Sequence, residues 1–113
     1  MQITVKAKNG ITILKISGQM TFDVSLFQMR GHVEQALSLG LRRFILDISE
    51  VPFVDSSAVG ELITIYTSIT RAQGSVVVVK PVERVRVLFE RIRLTDLFRI
   101  AGSLEEAEMA LRG

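Results

Sequence analysis

Two adjacent serines follow an aspartate at Asp55-Ser56-Ser57 and provide more hydroxyl groups than a single helix cap requires. Hydrophobic patterning predicts a buried strand before them and a helix after them, at the edge of a sheet where α/β proteins place their sites. All three side chains could cap that helix by accepting hydrogen bonds from free N–H groups of its first turn. The alternative is a modification site, because a phosphate on either serine would face the positive end of the helix dipole.

Few other side chains suit catalysis. The sequence has one His and no Cys, which excludes a disulfide framework, a thiolate zinc site, a cysteine nucleophile and a multi-histidine metal site. His32 lies in a predicted helix without a serine or cysteine at a telling spacing, so we interpret it as a surface or partly buried helix residue. We therefore expect that the protein is not an enzyme and has no catalytic residue.

One pair of carboxylates could bind a metal ion. Asp47 and Asp55 are eight residues apart and could together bind Mg²⁺. Alternatively, Asp47 accepts hydrogen bonds from a turn and Asp55 caps a helix, and we favour this interpretation. The sequence also lacks the glycine-rich motifs of nucleotide-binding loops. We expect neither a metal site nor a bound cofactor.

Positive charge is concentrated in residues 80–99, which contain six basic and three acidic residues and so have a local net charge of +3. Arg84 and Arg91 are seven residues apart and share a face of a predicted helix. Ion pairs at i,i+3 are predicted for Glu83–Arg86 and Glu90–Arg93. The segment has few of the aromatic residues that nucleic-acid binding uses, so we expect no nucleic-acid partner. A solvated helix face and a docking surface for an acidic protein are the interpretations left open.

Hydrophobic periodicity predicts five strands and four helices in the order ββαβαβαβα. Strands that alternate with helices indicate an α/β sheet with parallel pairs, and Asn9-Gly10 indicates a type I′ hairpin that adds an antiparallel strand. Ser103 and Glu106 have the spacing of a helix capping box. The predicted strands are 3–7, 11–16, 42–48, 75–80 and 97–100, and the predicted helices are 24–39, 57–73, 82–92 and 104–111.

Composition limits the class of protein. The chain has 113 residues, of which 48% are hydrophobic and 23% charged, and this length predicts one domain over residues 1–113. The net charge of +2 gives weak long-range steering. The longest apolar run, Val76–Val79, is far shorter than the ~20 residues of a membrane span, and the N-terminus lacks the pattern of a signal peptide. We expect a small cytoplasmic domain without a membrane partner.

The segment Val54-Asp55-Ser56-Ser57-Ala58-Val59-Gly60 resembles the Asp-Ser-Ser-Gly-x-Gly signature of the STAS family, in particular the bacterial anti-sigma-factor antagonists. The resemblance extends over nearly the whole chain, in the same order of elements. Other matching segments are Ile16-Ser17-Gly18, Leu46-Asp47-Ile48-Ser49, Val51-Pro52-Phe53 and the strand from Gly74 to Lys80. The resemblance implies a single STAS-like α/β domain, with a small mixed sheet and helices mainly on one face.

The resemblance also implies a regulatory switch. In that family the serine matching Ser57 is phosphorylated by a serine kinase that is also the anti-sigma factor. The unphosphorylated antagonist binds the kinase and frees the sigma factor, and a serine phosphatase reverses the modification. ATP would then be the cofactor of the kinase. The alternative within the family is an unphosphorylated scaffold or transport-accessory module. In either case we expect a monomer or a weak dimer.

Residues around Ser57 acquire roles from the same resemblance. Asp55 and Ser56 would shape the turn, Gly60 would permit close approach at the helix start, and the docking rim would contain Thr21, Phe22 and Asp23. Two positions depart from the family pattern. Thr21 stands where an acidic residue is frequent, and Ala58 stands where glycine is usual. If that glycine serves only the close approach of the kinase, we expect the added methyl group to alter partner choice without stopping phosphorylation.

Overall fold

The secondary structure was obtained from a computed structural model that describes residues 1–112. The order of elements confirms the predicted ββαβαβαβα pattern and the α/β class. The strands are β1 (Gln2–Lys8), β2 (Ile11–Ser17), β3 (Arg43–Glu50), β4 (Ser75–Val79) and β5 (Arg99–Ala101). The helices are α1 (Val24–Ser38), α2 (Ser56–Arg71), α3 (Glu83–Arg91) and α4 (Leu104–Leu111), and a 3₁₀ turn (Leu94–Asp96) precedes β5.

The five strands form one mixed sheet in the order β1-β2-β3-β4-β5. β1 is antiparallel to β2, and the other neighbouring pairs are parallel. Asn9 and Gly10 have φ angles of 53° and 78° between β1 and β2. Positive φ at both positions is what a type I′ turn requires, so the predicted hairpin is confirmed.

Helices cover the two faces of the sheet unequally. α1, α2 and α3 bury apolar side chains in the larger core on one face, and α4 packs in a smaller core on the other. The helices therefore lie mainly on one face, as expected. β2 contributes to both cores, because Ile11 lies in the smaller one and Leu14 and Ile16 in the larger one. Its register against β3 shifts between Lys15 and Ser17.

The predicted ion pair between Glu90 and Arg93 is wrong. Arg86 lies 2.8 Å from Glu90 and 3.7 Å from Glu83, and Arg93 instead lies 2.8 Å from Asp96. The reason is local: Arg93 follows α3 and has a φ of 63°, so it has left the helix surface that carries Glu90. The Glu83–Arg86 pair is confirmed.

The structure shows the detail of two helix ends, of which the capping box at α4 was predicted. At α4, Ser103 Oγ accepts the Glu106 N–H as a capping box requires, but Glu106 Oε2 accepts from the N–H of Gly102 rather than from that of Ser103. After α2, the residue with positive φ is Gln73, and Gly74 permits close packing: a Cβ atom there would lie 2.5 Å from the Arg42 carbonyl oxygen.

None of the helices in residues 1–112 is both long and apolar enough to cross a membrane.

Candidate functional site

The segment before α2 is joined to the segment before α1. Past the ends of β2 and β3, Met20 and Val54 form an isolated parallel bridge. The Met20 N–H donates to the Phe53 carbonyl oxygen at 2.9 Å, and the Asp55 N–H donates to the Met20 carbonyl oxygen at 3.0 Å. These bonds hold the start of the predicted rim against the segment that leads into the two serines.

Asp55 connects these two segments through its side chain. Its Oδ1 accepts the Ala58 N–H at 2.9 Å, which confirms Asp55 as the cap of α2. Its Oδ2 accepts the Phe22 N–H at 3.1 Å. The bond to Phe22 was not predicted, and no local sequence signal indicates it. One carboxylate therefore fixes the start of α2 and the position of the rim.

Neither serine acts as the cap. Ser56 is exposed and begins α2, and Ser57 is partly exposed in the same turn. Within residues 1–112, neither hydroxyl makes a hydrogen bond to the protein, and Asp55 supplies the cap. The first N–H groups of a helix have no partner inside it, so both serines sit at the positive helix end. The hydroxyls are free for contact with another molecule or for modification.

Ala58 and Gly60 differ in their surroundings. Ala58 is 0% exposed and packs in the larger core. That methyl group therefore points into the protein rather than towards solvent, and its effect on partner choice stays a prediction. Gly60 is exposed, and a Cβ atom there would meet nothing within 4 Å. Gly60 thus leaves open space on the surface next to the serines.

The rim contains an exposed aromatic residue. Phe22 is 69% exposed and contacts Phe27 edge to face, with ring centroids 5.9 Å apart. The Arg30 guanidinium lies over the Phe27 ring, 5.9 Å from its centroid. Its Nε also lies 3.4 Å from Oε2 of Glu61 on α2. That oxygen is buried and makes no hydrogen bond. Phe27 and Arg30 were not predicted as site residues, although their i,i+3 spacing on a helix was visible in the sequence.

The other two rim residues have different environments. Asp23 is exposed and caps α1, with its Oδ1 accepting from the Ser25 hydroxyl and, at 2.7 Å, from the Ser25 N–H. These bonds hold the pKa of the Asp23 carboxyl below its usual value. Thr21 is only partly exposed. Phe22 and Asp23 are thus the accessible side chains of this rim.

The carboxylates of Asp47 and Asp55 each have a structural role. Asp47 is buried, and its Oδ1 accepts from the Ser49 N–H at 3.0 Å and from the Ser49 hydroxyl at 2.7 Å. Asp55 caps α2, as described above. In the part of the chain that the structure describes, no group of three or more His, Asp or Glu residues could hold a metal ion.

The chain is similar to known proteins over almost its whole length. The model of the STAS domain family matches residues 2–107. A Bordetella bronchiseptica protein assigned as an anti-sigma factor antagonist, BtrV, is 22% identical over 112 residues, which is 99% of this chain and 96% of that protein.

Solved structures show the same fold. The structure of TM1081 from Thermotoga maritima, assigned as an anti-sigma factor antagonist, superposes with a TM-score of 0.90 at 22% identity, covering 98% of this chain and 95% of that one. The structure of the Bacillus cell fate determinant SpoIIAA in its phosphorylated form gives a TM-score of 0.77 at 19% identity, covering 98% of this chain and all of that one.

Proposed function

Because the chain belongs to the STAS domain family, we propose that it is an anti-sigma factor antagonist switched by phosphorylation of Ser57. The unphosphorylated protein binds an anti-sigma factor that is also a serine kinase, and so releases a sigma factor. Phosphorylation of Ser57 by that kinase, with ATP as phosphate donor, ends the binding, and a serine phosphatase restores it. The protein acts in the cytoplasm, where sigma factors bind RNA polymerase.

The observation that supports this proposal is the pair of free hydroxyls in the first turn of α2. Asp55 alone caps the helix, so neither Ser56 nor Ser57 is needed for that purpose. The names of two relatives agree with it: BtrV is assigned as an anti-sigma factor antagonist, and SpoIIAA was solved in a phosphorylated form. The choice of Ser57 over Ser56 follows the family signature.

The surroundings of the serines suggest how a phosphate would act. It would add about −1.5 to −2 charges and three acceptor oxygens. The free N–H groups at the start of α2 tolerate such a charge, whereas the nearby Asp55 carboxylate repels it. The phosphate therefore changes the exposed surface that includes Phe22 and Gly60 more than it changes the fold. A modest loss at an interface suffices, since about 1.4 kcal/mol is a tenfold change in affinity.

Intact-mass spectrometry tests the proposal directly. The protein is incubated with ATP and each candidate serine kinase, together with the variants Ser56→Ala and Ser57→Ala. We expect a gain of about 80 Da, the mass of one phosphoryl group, in wild type and Ser56→Ala but not in Ser57→Ala. Loss of the gain in Ser56→Ala alone would reassign the site to Ser56.

Failure of every cognate kinase to add that mass would contradict the proposed switch. A protein that still bound its kinase without being modified would be an unphosphorylated scaffold, which is the alternative within the family. Calorimetry on the same samples measures whether the kinase binds, and so distinguishes an unphosphorylated scaffold from a protein that does not bind the kinase at all.

A further inference from the structure

A groove lies along α3, partly between α2 and α3, and begins at Ser56, the first of the two serines. It consists of two clefts of about 420 and 390 Å³ that share Val54 and Leu88. The first cleft is bounded by Asp55 and Ser56. The second extends along α3 towards the start of that helix. The groove is therefore continuous with the candidate site.

The lining of the groove is apolar and partly exposed to solvent. Phe53, Ile63 and Ile92 line it and are 42%, 40% and 43% exposed. Large apolar side chains that lie together on a surface are typical of binding sites. This surface therefore suits a partner with apolar side chains of its own.

Two arginines lie along the same groove without acidic partners. Arg84, Leu88 and Arg91 follow each other at spacings of four and three residues, which places them on one face of α3. Both arginines are exposed and line the groove. Among residues 1–112, neither forms an ion pair, because the acidic residues of α3, Glu83 and Glu90, lie beside Arg86 instead. The groove thus carries two uncompensated positive charges beside its apolar surface.

We propose that this groove binds an acidic segment of the anti-sigma factor, with apolar side chains that fill the groove and carboxylates that pair with Arg84 and Arg91. The inference rests on the proposed function, since it names the chemistry of the partner at that site. It favours a docking surface over a solvated helix face as the interpretation of the basic segment. A phosphate on Ser57 would place negative charge near one end of the groove and would repel an acidic segment.

A synthetic peptide tests the groove without the partner. The probe is a helical peptide of about 15 residues, with leucines on one face and glutamates elsewhere, and a control peptide carries lysines in place of the glutamates. Binding is followed by NMR titration of the labelled protein. We expect the largest shifts at the amides of Val59, Ile63, Leu88 and Ile92.

Variants of α3 separate the groove from the rest of the helix. Replacing both arginines, as Arg84→Glu and Arg91→Glu together, should weaken the acidic peptide about tenfold or more. Arg86→Gln is the control, because Arg86 does not line the groove. The affinity of this variant for the acidic peptide should equal that of wild type. Thermal melts of all variants verify that they are folded. Equal binding of the lysine peptide, shifts elsewhere, or no binding by the acidic peptide would overturn the inference.

The same variants distinguish failure of the groove from failure of the proposed function. If a kinase binds and phosphorylates wild type and the double arginine variant equally well, the groove inference is wrong while the proposed function stands. If no kinase modifies the protein but the acidic peptide binds as expected, the proposed function is wrong, while the groove is still a binding site for an acidic segment. Self-association that the double variant abolishes would identify a second copy of the chain as the occupant and would overturn the inference.

Discussion

The Asp55 carboxylate accepts a hydrogen bond at 3.1 Å from the backbone N–H of Phe22, which lies 33 residues earlier in the chain. The other oxygen of the same carboxylate caps α2 through the Ala58 N–H. The exposed ring of Phe22 and the two serines are therefore held in one arrangement by one side chain. Any change of Asp55 should affect both the stability of α2 and the position of the rim.

Substitutions of Asp55 should separate these two bonds. Asp55→Ala removes both and should lower the free energy of unfolding by about 2 kcal/mol, since a cap is worth about 1 kcal/mol and a further hydrogen bond contributes a similar amount. Asp55→Asn retains an oxygen for the cap but places an N–H₂ group against Phe22, so its loss should be about half as large. Urea denaturation measures both losses. The control is Asp96→Ala, which removes an exposed ion pair and should change the free energy of unfolding by less than about 0.5 kcal/mol. An equally small change in Asp55→Ala would contradict the role of the Asp55 carboxylate.

A negative charge at Ser57 should leave the domain folded. In Ser57→Asp the new carboxylate faces the free N–H groups of α2, which favours it, and the Asp55 carboxylate, which does not. The free energy of unfolding should therefore change by less than about 1 kcal/mol. Thermal melts followed by circular dichroism compare this variant with Ser57→Asn, which has similar size and no charge. A drop of many degrees with loss of the folded signal would show that phosphorylation acts by unfolding.

Periodicity predicted the elements of the fold because each amphipathic stripe is a local property. The α1 stripe of Leu26, Met29 and Val33 is buried in the structure, and the positive φ angles at Asn9-Gly10 follow from the two residue types. The backbone conformation of Arg93, just after α3, could not be predicted in this way. Arg93 has a left-handed conformation, which arginine rarely adopts, so the residue type carries no signal for it.

The candidate site was predicted in part, for a similar reason. The position of Asp55 just before a predicted helix indicates a cap, and capping was one of the two interpretations of this residue. Its bond to Phe22 joins segments that are distant in sequence, so local patterns carry no signal for it. The burial of Ala58 was missed because a residue in the first helical turn can face the core or the solvent, and only packing decides.

The lowered pKa of Asp23 should make the protein less stable in acid, by an amount that depends on Ser25. The Ser25 hydroxyl and N–H hold the pKa of the folded Asp23 carboxyl below its usual value, which the unfolded chain retains. The resulting stabilisation is present at pH values above the usual aspartate pKa and is lost as the pH falls through the lower value of the folded state. Ser25→Ala should raise the Asp23 pKa and reduce this loss. NMR titration of the side-chain carboxyl measures the pKa, and Ser38→Ala, whose hydroxyl bonds only to a backbone carbonyl, should leave it unchanged.

Two glycines should respond in opposite directions to the same substitution. Gly74→Ala would place a Cβ atom 2.5 Å from the Arg42 carbonyl oxygen and 3.0 Å from Ile69, so the backbone must shift. We expect a loss of about 1 to 3 kcal/mol in the free energy of unfolding. Gly31→Ala, on the exposed side of α1 with nothing within 4 Å, should instead gain up to about 1 kcal/mol from helix propensity. Urea denaturation gives both values, and a Gly74→Ala variant as stable as wild type would contradict the close approach.

Ala58 and Gly60 should divide stability from partner binding. Ala58→Gly removes a buried methyl group and a good helix former, so it should cost about 1 to 2 kcal/mol of stability. Because that methyl lies in the core, the affinity of the folded variant for a cognate kinase should stay at the wild-type value. Gly60→Ala should raise stability by up to about 1 kcal/mol, yet its new methyl group lies on the open surface beside Ser57 and should weaken kinase binding. Calorimetric titration alongside urea denaturation measures both quantities; weaker kinase binding by Ala58→Gly than by Gly60→Ala would show that the interface is not the surface at the start of α2.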